Sequence, residues 1–598
     1  MARPASSGRV TFIVLRTMRT PILIVVGVYA ASMVGWVMIP AVDVAGRPQH
    51  MSFFHAFYFL TYTATTTGFG ELPYAFSEAQ RMWGIVSLYA SVVAWLYAIG
   101  AIIRLIQNPH FQLALAEGRF EKRVAAIVEP FVVLCGFGST GSLLARGLSD
   151  AGVTAVVLDR DIERIRALQL RDYRVDMPGL CADARTPQTL IEAGLRRPNC
   201  RAVVALTNDE HVNLKIAVTA RLLNPDLRVI IQSTSADYEE VLATLGGDIH
   251  VIDPFQTYAR YLAATIQDPR IHALSQWISG SPGATLDLAL RPPKGRWVLC
   301  GLGRMGSRIR ESLSAIGLAT VVIDPGLEEG EAAEDVIVGR ANQANLAAAG
   351  IAEADGVVAG TNTDSDNLSI LLNARALNPK VFTLVRQNLH MNQVVFQAAE
   401  ADFIMQPSLV SARRILFLLI APLLKSFFEA VRARAEDPAD GFVAETLSRL
   451  RDVVGGTGPR IWTVDTARQP VTALSRLWAE GRTVSLGAIL RDPSDRDGSL
   501  ACVALVASHL REGREGGEGE EAGEETVMPG PDYRLRPGCR VLFVGTLAAQ
   551  RLLDATLNND YTLGYLLTGV DPPRGWVMQW LSRRQDGAAA REAASPAD

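Results

Sequence analysis

The chain has 598 residues, of which 49% are hydrophobic and 20% are charged, so it is not disordered throughout and is long enough for about four folded domains. Its 58 basic and 62 acidic residues give a net charge of −4, which leaves no overall positive field to favour nucleic acid. The 6 cysteines are scattered without a CxxC pair or metal-ligand spacing, and we expect them to be reduced thiols in the cytosol.

Two long stretches almost without charged side chains predict membrane-spanning helices. The first covers residues 20–42, after an N-terminal tail at 1–19, and the second covers 82–105. Each is long enough to cross a hydrocarbon core of about 30 Å. Basic residues concentrate before the first span and from the end of the second onward, at Arg3, Arg9, Arg16, Arg19, Arg104, Arg119, Lys122 and Arg123. Both termini are therefore expected on the cytoplasmic side.

The connection between the spans has the pattern of a re-entrant pore loop at 51–73. An apolar, aromatic stretch at 51–65 predicts a short helix, and a threonine-rich segment with two glycines follows it. Irregular backbone at membrane depth is tolerated only where protein buries it or where it lines a wet cavity. Successive backbone carbonyls can replace the water around a K⁺ ion if the backbone alternates in handedness, which glycine permits. The predicted ion selectivity filter is Thr66, Thr67, Gly68, Phe69 and Gly70.

One chain supplies a single loop of this kind and two spans, so a symmetric ring of chains is needed to enclose an ion. Residues 62–71, with the sequence YTATTTGFGE, resemble the pore-helix end and selectivity filter of the two-span potassium channels. Thr67 stands where Val or Ile is usual, and Phe69 replaces the commoner Tyr. The resemblance implies a pore domain at 20–107, a homotetramer that selects K⁺, and a location in the inner (plasma) membrane of a bacterium.

A helical connector at 108–128, the predicted gating linker, leads into an α/β region. A short apolar strand at 131–134, a GxGxxG segment, a helical stretch and a second apolar strand that ends at Asp159 follow in that order. This order is the dinucleotide-binding fingerprint, in which loop amides approach a pyrophosphate at a helix N-terminus and the acid holds a ribose diol. The candidate nucleotide-binding residues of this first unit are Gly136, Phe137, Gly138, Ser139, Thr140, Gly141, Asp159 and Arg160.

The same pattern recurs further along the chain. Residues 297–326 match 132–161 at 13 of 30 positions, and residues 357–379 match 203–225 at 13 of 23. Agreement in two separate blocks indicates an internal duplication. The corresponding candidates of the second glycine loop and its acid are Gly301, Leu302, Gly303, Arg304, Met305, Gly306 and Asp324. Further candidates lie at strand ends, where open α/β sheets bind ligands, at Thr207, Asn208, Thr361 and Asn362.

The duplicated unit resembles the RCK domain (regulator of K⁺ conductance), a regulatory module of potassium channels and transport subunits. The resemblance implies a first RCK N-lobe at 129–280 and a second at 295–436, each with crossover helices, then a C-terminal lobe at 440–570 and a disordered tail at 571–598. Asp183 lies in a segment that resembles the GDA turn of the family and is a further nucleotide-binding candidate. Four chains would give eight such domains in a gating ring.

The predicted fold is a membrane α-helical pore module fused to α/β, with two tandem Rossmann-like RCK domains and a small α+β C-terminal lobe. These features favour a ligand-gated K⁺ channel in which NAD(H), ADP or ATP binds to the gating ring and is not turned over. Asp159 and Asp324 favour an unphosphorylated ribose. K⁺ at the filter carbonyls is the only metal expected, because the segment 232–235 lacks the carboxylates that Ca²⁺ prefers. No protein partner beyond further copies of the chain is indicated.

Two other functions stay open. A membrane-anchored NAD-dependent oxidoreductase is compatible with the fingerprint, but we find no nucleophile–base arrangement and no hydride-acceptor site, so the chain is not expected to be an enzyme. A K⁺ uptake transporter with fused regulatory domains is the third candidate. Such transporters resemble four linked pore repeats with one filter glycine each, whereas a single repeat with Gly68 and Gly70 favours a channel.

Overall fold

The computed structural model describes residues 6–42, 47–70, 75–278, 290–327, 335–435, 441–455, 459–467, 469, 471–509 and 525–570. The chain divides into two compact units: the pore unit, Met1–Val128 with Pro178–Leu180 and Glu192–Gly194, and the α/β unit, which contains the rest. The predicted tail at 571–598 and the end of the predicted pore loop at 71–73 lie outside the described residues.

The pore unit is helical. Its helices are α1 (Ser6–Met38), α2 (Phe53–Ala64), α3 (Glu78–Gln107) and α4 (Pro109–Ala126). Two short strands pair antiparallel between α1 and α2, namely β1 (Ala41–Val42) and β2 (Pro48–Gln49).

Helix α3 extends beyond the predicted span 82–105 at both ends, whereas α1 extends beyond the predicted span 20–42 only at its N-terminal end and stops four residues before 42. Helix α1 begins at Ser6, so most of the predicted N-terminal tail is helical, and it ends at Met38 because Pro40 disfavours helical geometry in the residue before it. Helix α3 begins at Glu78, after Ser77 as its N-cap. A helix ends where its backbone hydrogen bonds end, whereas a lack of charge marks only the part that membrane lipid can surround.

Helices α1 and α3 are held together by hydrogen bonds from two tryptophan side chains and by close packing at a glycine. The indole N–H of Trp36 donates to Ser87 Oγ at 3.2 Å, and that of Trp83 donates to the Ser32 carbonyl at 3.1 Å. A Cβ at Gly35 would lie 2.1 Å from the Trp83 ring. The small residue therefore allows the two helices to approach closely, and the indole donors are satisfied without water, as a membrane interior requires.

The predicted gating linker at 108–128 is a separate helix. Asn108 ends α3 and begins α4, because its side chain accepts the amides of His110 and Phe111 at 2.9 and 3.3 Å. Pro109 occupies the first turn of α4, where its missing N–H is not needed.

Each half of the α/β unit contains a six-stranded parallel sheet. The strands of the first half are β3 (Phe131–Cys135), β4 (Thr154–Asp159), β5 (Gly179–Cys181), β6 (Cys200–Ala205), β7 (Arg228–Gln232) and β8 (Ile249–Ile252). Those of the second half are β9 (Trp297–Cys300), β10 (Thr320–Asp324), β11 (Val336–Val338), β12 (Gly356–Ala359), β13 (Phe382–Arg386) and β14 (Phe403–Met405). The strand orders β5-β4-β3-β6-β7-β8 and β11-β10-β9-β12-β13-β14 are equivalent. In each sheet the strand order reverses beside the strand that comes first in the chain, between β3 and β6 and between β9 and β12. Ligands of such sheets bind at this point.

Helices connect or follow the strands in each half. In the first half they are α5 (Ser139–Asp150), α6 (Ile162–Leu170), α7 (Pro187–Glu192), α8 (Glu210–Leu223), α9 (Ala236–Thr244), α10 (Pro254–Gln267) and α11 (Pro269–Ile278). In the second half they are α12 (Arg304–Ala315), α13 (Gln343–Ala348), α14 (Asp364–Leu377), α15 (Gln393–Ala398), α16 (Pro407–Ile420) and α17 (Leu423–Ala435), with short 3₁₀ turns at Ile351–Glu353 and His390–Asn392.

The two halves exchange a helix. Helix α10 follows the first sheet but buries Leu262 against Trp297 of the second sheet. Helix α16 follows the second sheet but buries Ile415 against Leu134 of the first. These are the predicted crossover helices, and within this chain each packs on the opposite half.

The C-terminal lobe is an antiparallel sheet with helices. Its strands are β15 (Arg460–Asp465), β16 (Val484–Ser485), β17 (Cys502–His509), β18 (Glu525–Val527), β19 (Arg534–Leu535) and β20 (Cys539–Gly545). Four of them form a sheet in the order β15-β20-β17-β18, and the other two form the pair β16-β19. Its helices are α18 (Phe442–Val454), α19 (Thr472–Ala479), α20 (Leu486–Ile489), α21 (Leu547–Asn558) and α22 (Asp560–Thr568). The predicted fold class, a helical pore module fused to two Rossmann-like domains and a small α+β lobe, is confirmed.

Candidate functional site

The predicted filter has a backbone of alternating handedness. The φ angles of Thr66, Gly68 and Gly70 are 61°, 67° and 73°, whereas Thr67 and Phe69 between them have no positive φ. Glycine adopts a positive φ freely, but a β-branched residue such as Thr66 is strained there. No described atom lies within 4 Å of a Cβ placed at Gly68 or Gly70, so within one chain their need for glycine is conformational rather than a matter of space.

Hydrogen bonds hold the filter strand to the end of α2. The Tyr62 carbonyl accepts the amides of Thr67 and Gly68 at 2.8 and 3.3 Å. The Thr67 hydroxyl lies 2.9 Å from that of Thr65, which donates to the Thr61 carbonyl at 2.8 Å. The side chain of Thr67 therefore lies on the helix side of the strand.

Aromatic rings support the same strand. The Phe69 ring stacks on Tyr58 with 6.5 Å between centroids and meets the edge of Tyr62 at 6.0 Å. On α2, Phe59 contacts Trp36 of α1 with centroids 4.6 Å apart. Filter, pore helix and first span are thus connected by ring contacts.

The three glycines of the first nucleotide loop have different roles. Gly136 has a φ of 105°, and a Cβ there would lie 2.7 Å from the Leu206 carbonyl oxygen. A Cβ at Gly141 would lie 2.1 Å from the Gly136 carbonyl oxygen. Among the described residues, a Cβ at Gly138 would have only Arg164 within 4 Å, at 3.7 Å. The outer glycines therefore allow close packing, and the middle one leaves the N-terminus of α5 open to a ligand.

Asp159 ends β4, as predicted, and is 6% exposed. Its carboxylate accepts the amides of Phe137 and Asp161 at 2.6 and 2.8 Å, and Arg164 Nη1 lies 3.3 Å from it. A carboxylate has about four acceptor positions, so at least one remains for a ribose hydroxyl.

Asp183 and Arg160 are placed less favourably for ligand contact. The Asp183 carboxylate is engaged by Arg185, whose Nε and Nη2 approach it to 2.9 and 2.6 Å. This hydrogen bonding holds the pKa of Asp183 below its usual value. Arg160 is exposed, and its carbonyl accepts from the Cys181 thiol.

A buried asparagine fixes each strand-end threonine, and sequence analysis missed it. Asn213 is 1% exposed; its Oδ1 accepts the amide and hydroxyl of Thr207 at 2.9 and 2.7 Å, and its Nδ2 donates to the Thr207 carbonyl at 3.0 Å. Asn367 makes the same three bonds to Thr361 in the second half. Both asparagines fall in the duplicated block, so their identity in the two copies was the signal that could have found them.

The second glycine loop repeats the geometry of the first. Gly301 has a φ of 100°, and a Cβ at Gly306 would lie 1.9 Å from the Gly301 carbonyl oxygen. The Leu302 amide donates to Asp324, as the Phe137 amide does to its own acid. Met305 is fully buried in the core.

A cavity of about 350 Å³ lies between the two halves. It brings together predicted residues from both copies, namely Gly138, Ser139, Thr140, Thr207, Asn208 and Arg304. It is not lined by the other predicted residues, Gly136, Phe137, Gly141, Asp159, Arg160, Asp183, Gly301, Leu302, Gly303, Met305, Gly306, Asp324, Thr361 and Asn362. The cavity also includes Arg386 and Phe255, which sequence analysis did not select.

Two arginines from the second half lie close to one aromatic ring in this cavity. The guanidinium carbons of Arg304 and Arg386 lie 5.6 and 4.9 Å from the centre of the Phe255 ring. Arg386 is 7% exposed, and its Nη1 donates to Asn362 Oδ1 at 2.9 Å. Burial, together with the nearby charge of Arg304, lowers the pKa of Arg386 to about 10, so it is still protonated at neutral pH.

Glu210 is the acidic neighbour of this pair. Its Oε1 lies 3.8 Å from Arg304 Nη1, and it accepts hydrogen bonds from Ser233 and Thr234 at 2.6 and 2.8 Å. Burial opposes its ionisation, but these bonds and Arg304 outweigh burial and hold the pKa of Glu210 below its usual value.

Two protein families match the chain. The ion-channel family matches residues 17–108, and the TrkA-N domain matches residues 132–254 and 297–407. Potassium channel protein 1 of Methanocaldococcus jannaschii is 22% identical over 197 residues, which are 33% of this chain and 57% of that protein. The chain therefore spans less than two thirds of the length of that relative.

The chain was also compared with solved structures, and two of those that it resembles follow. A structure titled as the GsuK channel bound to NAD is 16% identical and covers 92% of this chain and 99% of its own, with a TM-score of 0.44. A structure titled as GsuK bound to ADP is 20% identical and covers 69% of this chain and 99% of its own, with a TM-score of 0.42.

The family matches agree with the predicted organisation. The described residues include two helices long and apolar enough to cross a membrane, Val10–Met38 and Glu78–Gln107, and the channel family places the chain in a membrane. The same match agrees with the predicted pore domain at 20–107. The chain therefore combines a segment that matches the ion-channel family, at residues 17–108, with two segments that match the TrkA-N domain, at residues 132–254 and 297–407.

Proposed function

We propose that the protein is a potassium channel whose opening is controlled by an adenine nucleotide, NAD(H), ADP or ATP, bound to its RCK domains. The observation that carries the first part is the alternating backbone of residues 66–70 directly after a pore helix. The channel is a homotetramer in the inner membrane of a bacterium, with both termini in the cytoplasm and eight RCK domains in its gating ring.

The filter can act only in a ring of chains. Residues 65–70 are exposed in a single chain, so this strand is accessible to further copies of the chain. Four such strands around one axis would surround a K⁺ ion with carbonyl oxygens in place of water. Thr66 would add its hydroxyl at the inner mouth.

Control by a nucleotide requires that it bind two conformations of the ring with different affinity. The open N-terminus of α5 and the acceptor position left on Asp159 support a site in the first RCK domain. At the other end of α5, a Cβ at Gly147 would lie 2.7 Å from Leu416 of α16. A shift of α5 on binding would therefore be passed to the other half of the α/β unit, and α4 is the covalent connection from there to α3.

The test is ion flux into liposomes that contain the purified full-length protein. K⁺ flux is expected to exceed Na⁺ flux and to change when NAD⁺, NADH, ADP or ATP is added. Asp159→Ala should raise the nucleotide concentration needed, because it removes a ribose acceptor. Equal K⁺ and Na⁺ flux would contradict the filter, and flux unchanged by all four nucleotides would contradict the control.

A further inference from the structure

We infer that one end of the helix pair formed by α1 and α3 binds the phosphate group of an anionic phospholipid, with Arg16, Arg19 and Arg104 as its ligands. These arginines, together with Phe12 and Leu15, form a surface that we call the basic belt, and all five side chains are exposed. The inference rests on the proposed channel in a membrane and adds a lipid as a ligand of the pore unit. It is independent of the nucleotide.

Hydrogen bonds fix how α1 and α3 are aligned. The indole N–H of Trp36 on α1 donates to Ser87 Oγ on α3. The indole N–H of Trp95, further along α3, donates to the hydroxyl of Tyr29, earlier on α1, at 2.9 Å. Residue numbers therefore rise along α3 as they fall along α1, so the two helices are antiparallel. The C-terminal part of α3 thus lies at the same end of the pair as the N-terminal part of α1.

The arginines of the two helices lie at one depth. Arg19 lies 17 residues before Trp36 on α1, and Arg104 lies 17 residues after Ser87 on α3. At 1.5 Å per residue, each arginine is about 26 Å from the contact between Trp36 and Ser87. Trp36 is two residues from the end of α1 and thus near one membrane surface. Because the hydrocarbon core of a bilayer is about 30 Å thick, the arginines lie near the other surface, at the level of the lipid head groups.

The exposed face of α1 at this end mixes apolar and basic side chains. Four residues spaced i, i+3, i+4 and i+7 share one face of the helix, namely Phe12, Leu15, Arg16 and Arg19. Phe12 and Leu15 are 63% and 64% exposed, although they are apolar. The residues between Phe12 and Leu15, and those between Arg16 and Arg19, are half-buried. Such a face suits the boundary of a membrane, where apolar side chains meet acyl chains and basic ones meet head groups.

No carboxylate of the described helices neutralises the basic belt. Helix α1 contains no acidic residue, and α3 contains only Glu78, at its opposite end. On α4, which follows α3, the first acids are Glu117 and Glu121, and both already interact with other residues. The three arginines of the belt form no ion pair with any described residue. An anion from outside the chain would therefore meet positive charge that is not yet compensated.

The chemistry of the belt favours a lipid over a dissolved anion. A guanidinium binds two oxygens of one phosphate in a planar, bidentate arrangement. Each basic side chain close to an anionic membrane surface strengthens binding roughly fivefold. A dissolved phosphate offers nothing to the exposed Phe12 and Leu15, whereas the acyl chains of a lipid cover them. A zwitterionic lipid carries a positive group beside its phosphate, which the arginines repel.

The test is native mass spectrometry of the detergent-solubilised full-length protein, titrated with phosphatidylglycerol or with phosphatidylcholine. The wild type is expected to prefer phosphatidylglycerol roughly 100-fold, from roughly fivefold for each of three charges, and the double variant Arg16→Gln/Arg19→Gln only roughly fivefold. Arg81→Gln is the matched control, because Arg81 is also exposed on α3 but lies at the opposite end of that helix. It should bind both lipids as the wild type does.

Two results for the wild type would overturn the inference. The first is equal affinity for the two lipids, as expected if another copy of the chain covered the belt. The second is competition by millimolar inorganic phosphate, which would assign the belt to a dissolved anion. If the double variant no longer assembles as the wild type does, Arg104→Gln decides. It should lower the preference roughly fivefold, and an unchanged preference would refute a role for this belt.

The channel itself is tested separately. K⁺-selective flux in liposomes of phosphatidylcholine alone, together with equal binding of the two lipids, would contradict only the lipid inference. A preference for phosphatidylglycerol that is lost in the double variant, together with equal K⁺ and Na⁺ flux, would support the lipid inference and contradict the filter.

Discussion

Replacement of Gly68 by alanine tests the filter geometry directly. With a φ of 67°, the residue lies in the left-handed region, which costs an L-residue about 1–2 kcal/mol. No described atom lies within 4 Å of the new Cβ, so in a single chain the cost is conformational alone. In the proposed ring of four chains, the conformational cost of the four substitutions sums to about 4–8 kcal/mol, which is comparable with the free energy of unfolding of a small domain.

The assay is K⁺ flux into liposomes at matched protein content. Gly68→Ala is expected to reduce flux to background, because relaxing the strain turns the carbonyl away from the axis. Gly27→Ala is the matched control, since Gly27 also has no described atom within 4 Å of a Cβ but lies inside α1 without a positive φ. It should conduct normally. Wild-type flux and selectivity in Gly68→Ala would show that left-handed backbone at this position is not needed.

Three further predictions follow from the contacts described. Thr67→Val removes a hydroxyl contact to Thr65, worth about 0.5–1.5 kcal/mol, but keeps the amide bond to Tyr62; flux assays should show K⁺ selectivity retained, and its loss would show that the amide bond alone does not hold the filter strand. Asn213→Ala should lower nucleotide affinity measured by calorimetry, because Thr207 loses its anchor, whereas Asn367→Ala should destabilise the second half and spare affinity; equal effects would contradict this. Burial lowers the pKa of His272 to about 4, below its unfolded value of about 6.5, so its neutral form adds stability above pH 6.5 that is lost as pH falls toward 4. The Tm of the wild type should therefore fall more steeply over that interval than that of His272→Gln, and parallel curves would contradict the assignment.

Local patterns were sufficient to predict the pore loop and both nucleotide folds. The glycines at 68 and 70 specify handedness, and the order of strand, glycine loop and acid specifies a Rossmann half, because each depends on neighbours in the chain. The ends of α1 and α3 were not predictable from charge alone. They depend on Pro40 and on the cap at Asn108, which act through backbone geometry.

The composite cavity could not be read from the sequence. Arg386 reaches Phe255 only because α10 crosses to the second sheet, and this exchange depends on packing between residues far apart in the chain. Arg304 was predicted as a nucleotide-binding candidate of the second half, whereas its side chain lines the cavity together with the first glycine loop. Asn213 looked like an ordinary polar residue of a helix, and only its burial and its bonds to Thr207 mark it as structural support for the site.

The reversal potential of the purified protein in a planar bilayer, with K⁺ on one side and an equal concentration of Na⁺ on the other, bears most directly on the central claim. If residues 66–70 form the carbonyl rings, the wild type should show a reversal potential typical of strong K⁺ selectivity. In Gly68→Ala the current, and with it the selective potential, should be abolished. A reversal potential near zero, or selective current that survives the substitution, would contradict a pore formed by this backbone.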